Sequence, residues 1–249
     1  MQELDFYSIA ERYLELINPT SPEKVIEAGK YLGLAQNSRV IDFGCGYGEP
    51  LVLWARHFGI VGVGIDVREQ AVARARRKMT DNGLDGRIDI VCARGAEYQF
   101  DKGAFDIAIC MGASFIWDGF RPTLQALRTA IKPSGKILIG EPYWITDAVP
   151  PQYAFRVKIH TELELLDICR CEGFDIAYII RSNDDDWAHY EAGNWQGLIA
   201  WLEENPSHAE KQEVIDWFRK VQDDYFRFGR QYLGFALYIL NPIRYLLED

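Results

Sequence analysis

Between residues 38 and 141 short apolar runs alternate with stretches of helical periodicity. The runs lie at 39–43, 61–65, 88–92, 105–111 and 136–140. They are apolar throughout rather than at every second position, as strands covered on both faces must be. The helical stretches lie at 50–58, 69–82 and 120–131. Gly83 closes the second, and Lys132-Pro133-Ser134-Gly135 forms a turn after the third. This alternation predicts an α/β fold on a doubly wound, mostly parallel sheet.

The flanks read differently. Residues 3–17 carry a helical stripe at Leu4, Tyr7, Leu14 and Ile17, and Ser21-Pro22-Glu23 is an N-cap for a helix to about Leu34. After the fifth strand, residues 142–160 hold three prolines and several aromatics and read as a lid loop. Thr161 and Glu164 have the spacing of a capping box, for a helix ending near Gly173. A sixth strand follows at 176–181, a helix from Asp184–Asp186 to about 202, and a second capping box at Ser207 and Glu210 for a helix to about 228. The last strand, at 235–240, closes a seven-stranded sheet with an antiparallel member. The reading is one domain, 1–249: N-terminal helices to 37, a core at 38–141, the lid, and a helical cap inserted at 184–230.

Composition narrows the function. Apolar residues make up 48% of 249, enough for a packed core. No long uncharged apolar window suggests a membrane span, and the acidic, amphipathic start is not a signal peptide, so the cytoplasm is expected. Five cysteines without ligand spacing fit a reducing compartment. A net charge of −10 argues against nucleic acid; the one basic run, Arg74, Arg76, Arg77 and Lys78, reads as a solvated helix face.

The most informative stretch is Val40-Ile41-Asp42-Phe43-Gly44-Cys45-Gly46-Tyr47-Gly48. Gly44, Gly46 and Gly48 follow a buried strand and precede a helix, so backbone can approach a ligand and helix-start N–H groups can meet an anionic group. A dinucleotide fingerprint has its third glycine where this chain has Glu49, which would repel a pyrophosphate; this argues against a nicotinamide-dependent oxidoreductase. Asp42, just ahead of the loop, suits an ammonium group. Asp66 ends the second strand 24 residues after Asp42. A carboxylate there accepts ribose hydroxyls, whichever nucleoside cofactor carries them.

With these residues in place the chain resembles the class I S-adenosylmethionine-dependent methyltransferases, which are Rossmann-like. VIDFGCGYG looks like their first motif, GVGIDV the second, FDIAICMGA the fourth-strand motif and IKPSGKILIGEPYW the fifth-strand segment. GEPYW at 140–144, DDWAHYEAGNW at 185–195 and LGFALYIL at 233–240 are similar to a bacterial and archaeal small-molecule group. The resemblance implies S-adenosylmethionine as cofactor. Asp42, Gly44, Gly46 and Gly48 would hold its methionine part, Asp66 with Val67 its ribose, Gly95 and Ala96 its adenine, and Met111 would lie beside the methyl group. Arg94 or Glu97 falls near the adenine amino group.

The candidates for chemistry are Glu141, which ends the fifth strand, Tyr143 in the presumed lid, and Trp187 and Tyr190 near the start of the cap helix. Glu141 would take a proton or hold a cation; the rings would face a planar or cationic substrate. Trp195 reads as packing, His160 and His189 as structural, Asp184–Asp186 as capping rather than metal-binding, and Cys45 as non-catalytic. The expectation is methyl transfer to a small molecule by a monomer or homodimer. The alternative is a non-catalytic cofactor-binding module or partner subunit.

Overall fold

A computed structural model describes residues 5–154 and 159–245. The predicted alternation is present: β1 (Arg39–Phe43), α3 (Glu49–Phe58), β2 (Val61–Asp66), α4 (Glu69–Asp81), β3 (Ile88–Cys92), β4 (Phe105–Met111), α5 (Phe120–Ala130) and β5 (Ile131–Trp144). Before it come α1 (Phe6–Ala10) and α2 (Pro22–Leu32). After it come α6 (Pro151–Ala154), β6 (His160–Thr161), α7 (Glu162–Cys171), β7 (Phe174–Arg181), α8 (Asp184–Glu204), α9 (Lys211–Asp224), α10 (Arg230–Tyr232) and β8 (Leu233–Pro242). The sheet order is β3-β2-β1-β4-β5-β8-β7, with two-residue β6 beside the end of β5. The first five strands are parallel, and β8 runs antiparallel to β5 and β7. Strand order reverses at β1, so ligands belong beyond the carboxyl ends of β1 and β4. The register Phe43↔Ile65 and Met111↔Gly140 brings Gly44, Asp66, Gly112 and Glu141 to that one edge.

Four expectations need correction. The helix predicted over 3–17 stops at Ala10, continues as one tight turn to Tyr13, and leaves Leu14 extended; residues 3 and 4 lie outside the described residues. Arg74 takes the carbonyls of Arg12 (3.0 Å) and Leu14 (2.7 Å), the groups a further helical turn would have used. The apolar stripe is divided: Ala10 packs on α8, whereas Ile17 reaches the glycine loop.

The Lys132–Gly135 turn is a bulge inside β5. Phe105 pairs with Ile131 and Ile107 with Lys136, so four residues bow out opposite Asp106. Lys132 Nζ and the Arg39 N–H both bond the Asp106 carboxylate, at 2.6 and 2.8 Å, which pins the excursion.

β5 also runs through Glu141–Trp144, so the intervening loop begins at 145 rather than 142; residues 155–158 of that stretch lie outside the described residues. Pro142 is tolerated because of direction. Gly140 turns its carbonyl toward Gly112 at the end of β4, so Pro142, two residues on, faces the same side past the end of β4, where no N–H is required.

The Ser207 capping box does not form. His208 packs its ring on Trp201, its Nδ1 accepts the Glu210 N–H at 3.2 Å, and α9 starts only at Lys211. The boxes at Thr161–Glu164 and, at the start of α8, Asn183–Asp186 do form.

Candidate active site

The three loop glycines have positive φ, at 77°, 53° and 71°. Gly44 and Cys45 donate to the Ile65 carbonyl at 2.8 and 3.0 Å, which docks the loop on β2. Asp66 is held from both sides: its Oδ2 accepts the Gly46 N–H and its Oδ1 the Arg68 N–H, each at 2.9 Å. Its carboxylate is therefore oriented before any ligand arrives. Asp42 is buried beneath the loop, and burial together with neighbouring Asp66 pushes its carboxyl up.

A 540 Å³ cavity opens beyond these strand ends. Gly44, Asp66, Val67, Gly95 and Met111 line it, and so does Tyr190 from α8. Other expected contacts lie elsewhere. Gly46 acts through its N–H on Asp66. Gly48 faces α4, where a Cβ would meet Met79 Cε at 2.7 Å, so this glycine permits α3 to pack rather than touching the cavity. Asp42 lies beside a narrow 20 Å³ space that shares Gly44 and Met111 with the main cavity. Ala96 is exposed off the wall, and Arg94 and Glu97 pair with each other at 3.0 Å on the surface.

The N-terminal segment closes the cavity, which no local pattern announced. Asn18 Nδ2 donates to the Met111 carbonyl at 3.3 Å, and Glu11 pairs with Arg68 at 2.7 Å. Ile17 Cδ1 lies 2.4 Å from where a Cβ at Gly46 would stand. Tyr7, Glu11, Ile17 and Asn18 thereby join the wall, with Phe115 and Ile116 from the turn after β4. The amphipathic stripe was the visible sign of this segment; what it packs on is a long-range contact.

A second cavity, of 420 Å³, lies under the helical cap. Tyr143, Trp187, Trp195, Tyr225 and Phe226 supply aromatic walls, and Arg230, Asp184 and Asp185 the charges. Trp187 and Tyr190 meet edge to face with centroids 6.5 Å apart, so the two rings of one aromatic pair line different cavities. A larger open groove of 990 Å³ runs along edge strand β3 and shares no wall residue with the glycine loop.

Glu141 lines neither cavity directly. Ser114 Oγ donates to its Oε1 at 2.8 Å, which ties it to the turn that walls the first cavity; two residues along β5, Tyr143 walls the second. Its Oε2 is buried with no hydrogen-bond partner among the described residues, and burial pushes its carboxyl up to about 7. Glu191 was missed by the sequence reading. It follows Trp187 by one turn of α8, burial pushes it up to about 7 with no cation to oppose the effect, and it adds to the rise that burial gives the phenols of Tyr190 and Tyr225. His160 faces Glu164 at 3.8 Å near the surface, and His189 is exposed.

The basic run is largely taken up internally. Besides its two carbonyls Arg74 bonds Glu15, Arg76 bonds the Ile90 carbonyl at 2.9 Å, and Lys78 bonds Glu15 and Glu49. Arg77, paired with Asp81 at 3.7 Å, is exposed, and so is Arg76 despite its one backbone bond.

The family pattern described as "Methyltransferase domain" matches residues 40–135. A Thiobacillus denitrificans S-adenosylmethionine-dependent methyltransferase, solved with S-adenosyl-L-homocysteine, superposes with a TM-score of 0.90 at 31% identity, over 97% of this chain and 100% of its own. A Geobacter sulfurreducens methyltransferase, solved with the same ligand, gives 0.89 at 32% identity over the same shares. The Escherichia coli protein YjhP is 29% identical over 240 residues, 94% of this chain and 96% of its own. The match to the Thiobacillus denitrificans enzyme spans both molecules at 31% identity, so this chain belongs to the class I S-adenosylmethionine-dependent methyltransferases.

Proposed function

We propose that the chain methylates a small molecule seated in the second cavity, under α8 and α9. The observation that carries this reading is the aromatic cavity one ring pair away from the cofactor cavity. A module that only bound the cofactor would need no such space.

The residues fit S-adenosylmethionine. Gly44 leaves room that a Cβ would fill, since it would stand 2.5 Å from Ala113 Cβ. The Asp66 carboxylate is already oriented as a ribose acceptor, and buried Asp42 suits the ammonium end. When bound, the cofactor supplies an electrophilic methyl group on a sulfonium and leaves as S-adenosylhomocysteine. The protein's part is to align the acceptor and exclude water, a contribution of up to about 7–11 kcal/mol. The N-terminal segment and Tyr190 close over the first cavity; Trp187 and Tyr143 position the acceptor in the second. Glu141, tied by Ser114 to the turn that walls the first cavity and with one unpartnered oxygen, is the candidate base where the acceptor must lose a proton, and a shift of that turn is needed to bring it to the acceptor. Small-molecule work in the cytoplasm, by a monomer or homodimer and without nucleic acid, suits the acidic chain and its internally paired basic run.

Calorimetric titration with S-adenosylhomocysteine, followed by transfer of a labelled methyl group to a panel of amines, phenols, thiols and carboxylates, tests the reading. Saturable 1:1 binding and a labelled small product are expected. Binding without transfer to any acceptor would leave the binding-module alternative standing.

A further inference from the structure

Resting on that reading, we infer that the acceptor is a neutral, planar aromatic molecule, its ring packed against Tyr143 on the sheet side of the second cavity and against Trp195, Tyr225 and Phe226 on the helical side.

On the sheet side a glycine makes the wall flat. Tyr143 of β5 pairs with Gly234 of β8, and both line the cavity. A Cβ at Gly234 would stand 2.2 Å from Tyr143 Cζ and 2.6 Å from each Cε. The two equal distances place Gly234 over the face of the ring, so the phenol lies flat on bare backbone. Its hydroxyl is bonded to Arg181, which pairs with Glu162 at 2.9 Å. Backbone on one face and that pair at the tip hold the ring in one orientation.

On the helical side Tyr225–Gly229, between α9 and α10, is a π-helical turn. Such widened turns are rare and gather at functional sites. Consecutive residues of an α-helix point about 100° apart. Here Tyr225 and Phe226 are consecutive, yet both rings lie 5.6 Å from the Trp195 ring and 5.2 Å from each other. The turn thus builds a corner of three rings. Ala188 and Ala192, four residues apart on α8 and so on one face, also line the cavity and leave room beside that corner.

Charge decides between a ring and an ion. The charged wall residues, Asp184, Asp185 and Arg230, are all exposed, whereas Tyr143 and Tyr225 are buried. Both signs stand at the rim and none stands deeper. An ion moved past the rim would lose its hydration without gaining a partner. A neutral ring would gain offset and edge-to-face contacts with the walls. An aliphatic acceptor would be served as well by leucines and isoleucines, and would use neither the flat tyrosine nor the corner.

β-Naphthol and decahydro-β-naphthol make a matched pair of probes. They share every heavy atom and the hydroxyl, but the first is planar and aromatic and the second is puckered and no less apolar. A cavity that is merely apolar therefore binds the second at least as tightly. Each is titrated by calorimetry into the protein saturated with S-adenosylhomocysteine. β-Naphthol is expected to bind at least about fivefold more tightly than its saturated partner. Tyr143→Leu removes the ring, and Gly234→Ala drives it off its backbone seat; each is expected to at least halve that preference. Tyr143→Phe, which keeps the ring and loses the hydroxyl, is expected to retain it. S-adenosylhomocysteine affinity should be unchanged in all three. No binding of β-naphthol, equal or tighter binding of the saturated alcohol, or a preference undiminished in both Tyr143→Leu and Gly234→Ala overturns the inference. If labelled methyl passes to aliphatic acceptors but to no aromatic one, the inference falls and the methyltransferase reading stands. If S-adenosylhomocysteine does not bind, both fall.

Discussion

Trp187 and Tyr190 meet edge to face on α8, and each lines a different cavity. Their three-residue spacing places them on neighbouring sides of one helix. On the proposed reading the pair stands between the cofactor's cavity and the acceptor's. Trp187→Ala should raise the acceptor KM at least about tenfold, the scale of losing an aromatic anchor. S-adenosylhomocysteine affinity should change by less than about threefold, since Trp187 does not touch that cavity. Steady-state kinetics beside calorimetry separates the two; a large loss of cofactor affinity with unchanged KM would refute the partition.

Asp66 is prepositioned by two backbone N–H groups. Asp66→Asn keeps the size, but its amide nitrogen cannot accept from one of those two N–H groups and the charge-assisted bonds to a ribose are lost, worth about 1.5–3 kcal/mol, or roughly 10–100-fold in affinity. Calorimetry with S-adenosylhomocysteine measures this directly, and circular dichroism should show an unchanged fold.

Gly46 lies under Ile17. A valine there would combine a positive φ with a Cβ 2.4 Å from Ile17 Cδ1. Gly46→Val should lose about 1–3 kcal/mol of stability and displace residues 5–18 from the cavity. Limited proteolysis should then cut that segment much faster than in the wild type, with cofactor binding lost and the sheet intact. Unchanged protection would show that the segment is not held by this contact.

Glu141 sets a pH dependence. Its carboxyl is raised from 4.5 to about 7 in the folded chain. Between those values the unfolded chain has ionised while the folded one keeps its proton, so the folded state binds more protons and stability falls as pH rises through this window. Glu141→Gln should remove that loss, worth up to about 3 kcal/mol by linkage, so its melting temperature should gain on the wild type from pH 5 to pH 8. As a base, Glu141 must be ionised, so kcat should rise toward a plateau above about pH 7. In E141Q the rate should drop by about 10²–10⁴-fold and lose that inflection. A wild-type profile in the variant would assign Glu141 a purely structural role.

The glycine loop and Asp66, which meet at the first cavity, were legible in the chain because their signals are local. A glycine loop after a buried strand and an acid ending the next strand are short-range patterns, and the parallel register Phe43↔Ile65 brings them together. Gly48 was read with its neighbours because spacing does not say which way a glycine faces; its contact with Met79 is a packing fact. Pro142 read as a loop because only the sheet shows that its missing N–H points past the end of β4.

By itself, then, the amino-acid sequence determined the strand–helix alternation, the glycine loop with Asp42 and Asp66, and the capping box at Thr161; of the acidic run at 184–186 only Asp186 caps, with Asn183 as its partner. Each follows from backbone preference or periodicity within about twenty-five residues. Only the tertiary structure decided that Ile17 and Asn18 close over the glycine loop, that Trp187 and Tyr190 face different cavities, and that Glu141 and Glu191 are half-buried with no cation acting on either. Those depend on what a side chain meets after the chain returns from far away, and burial is a property of that meeting rather than of the residue.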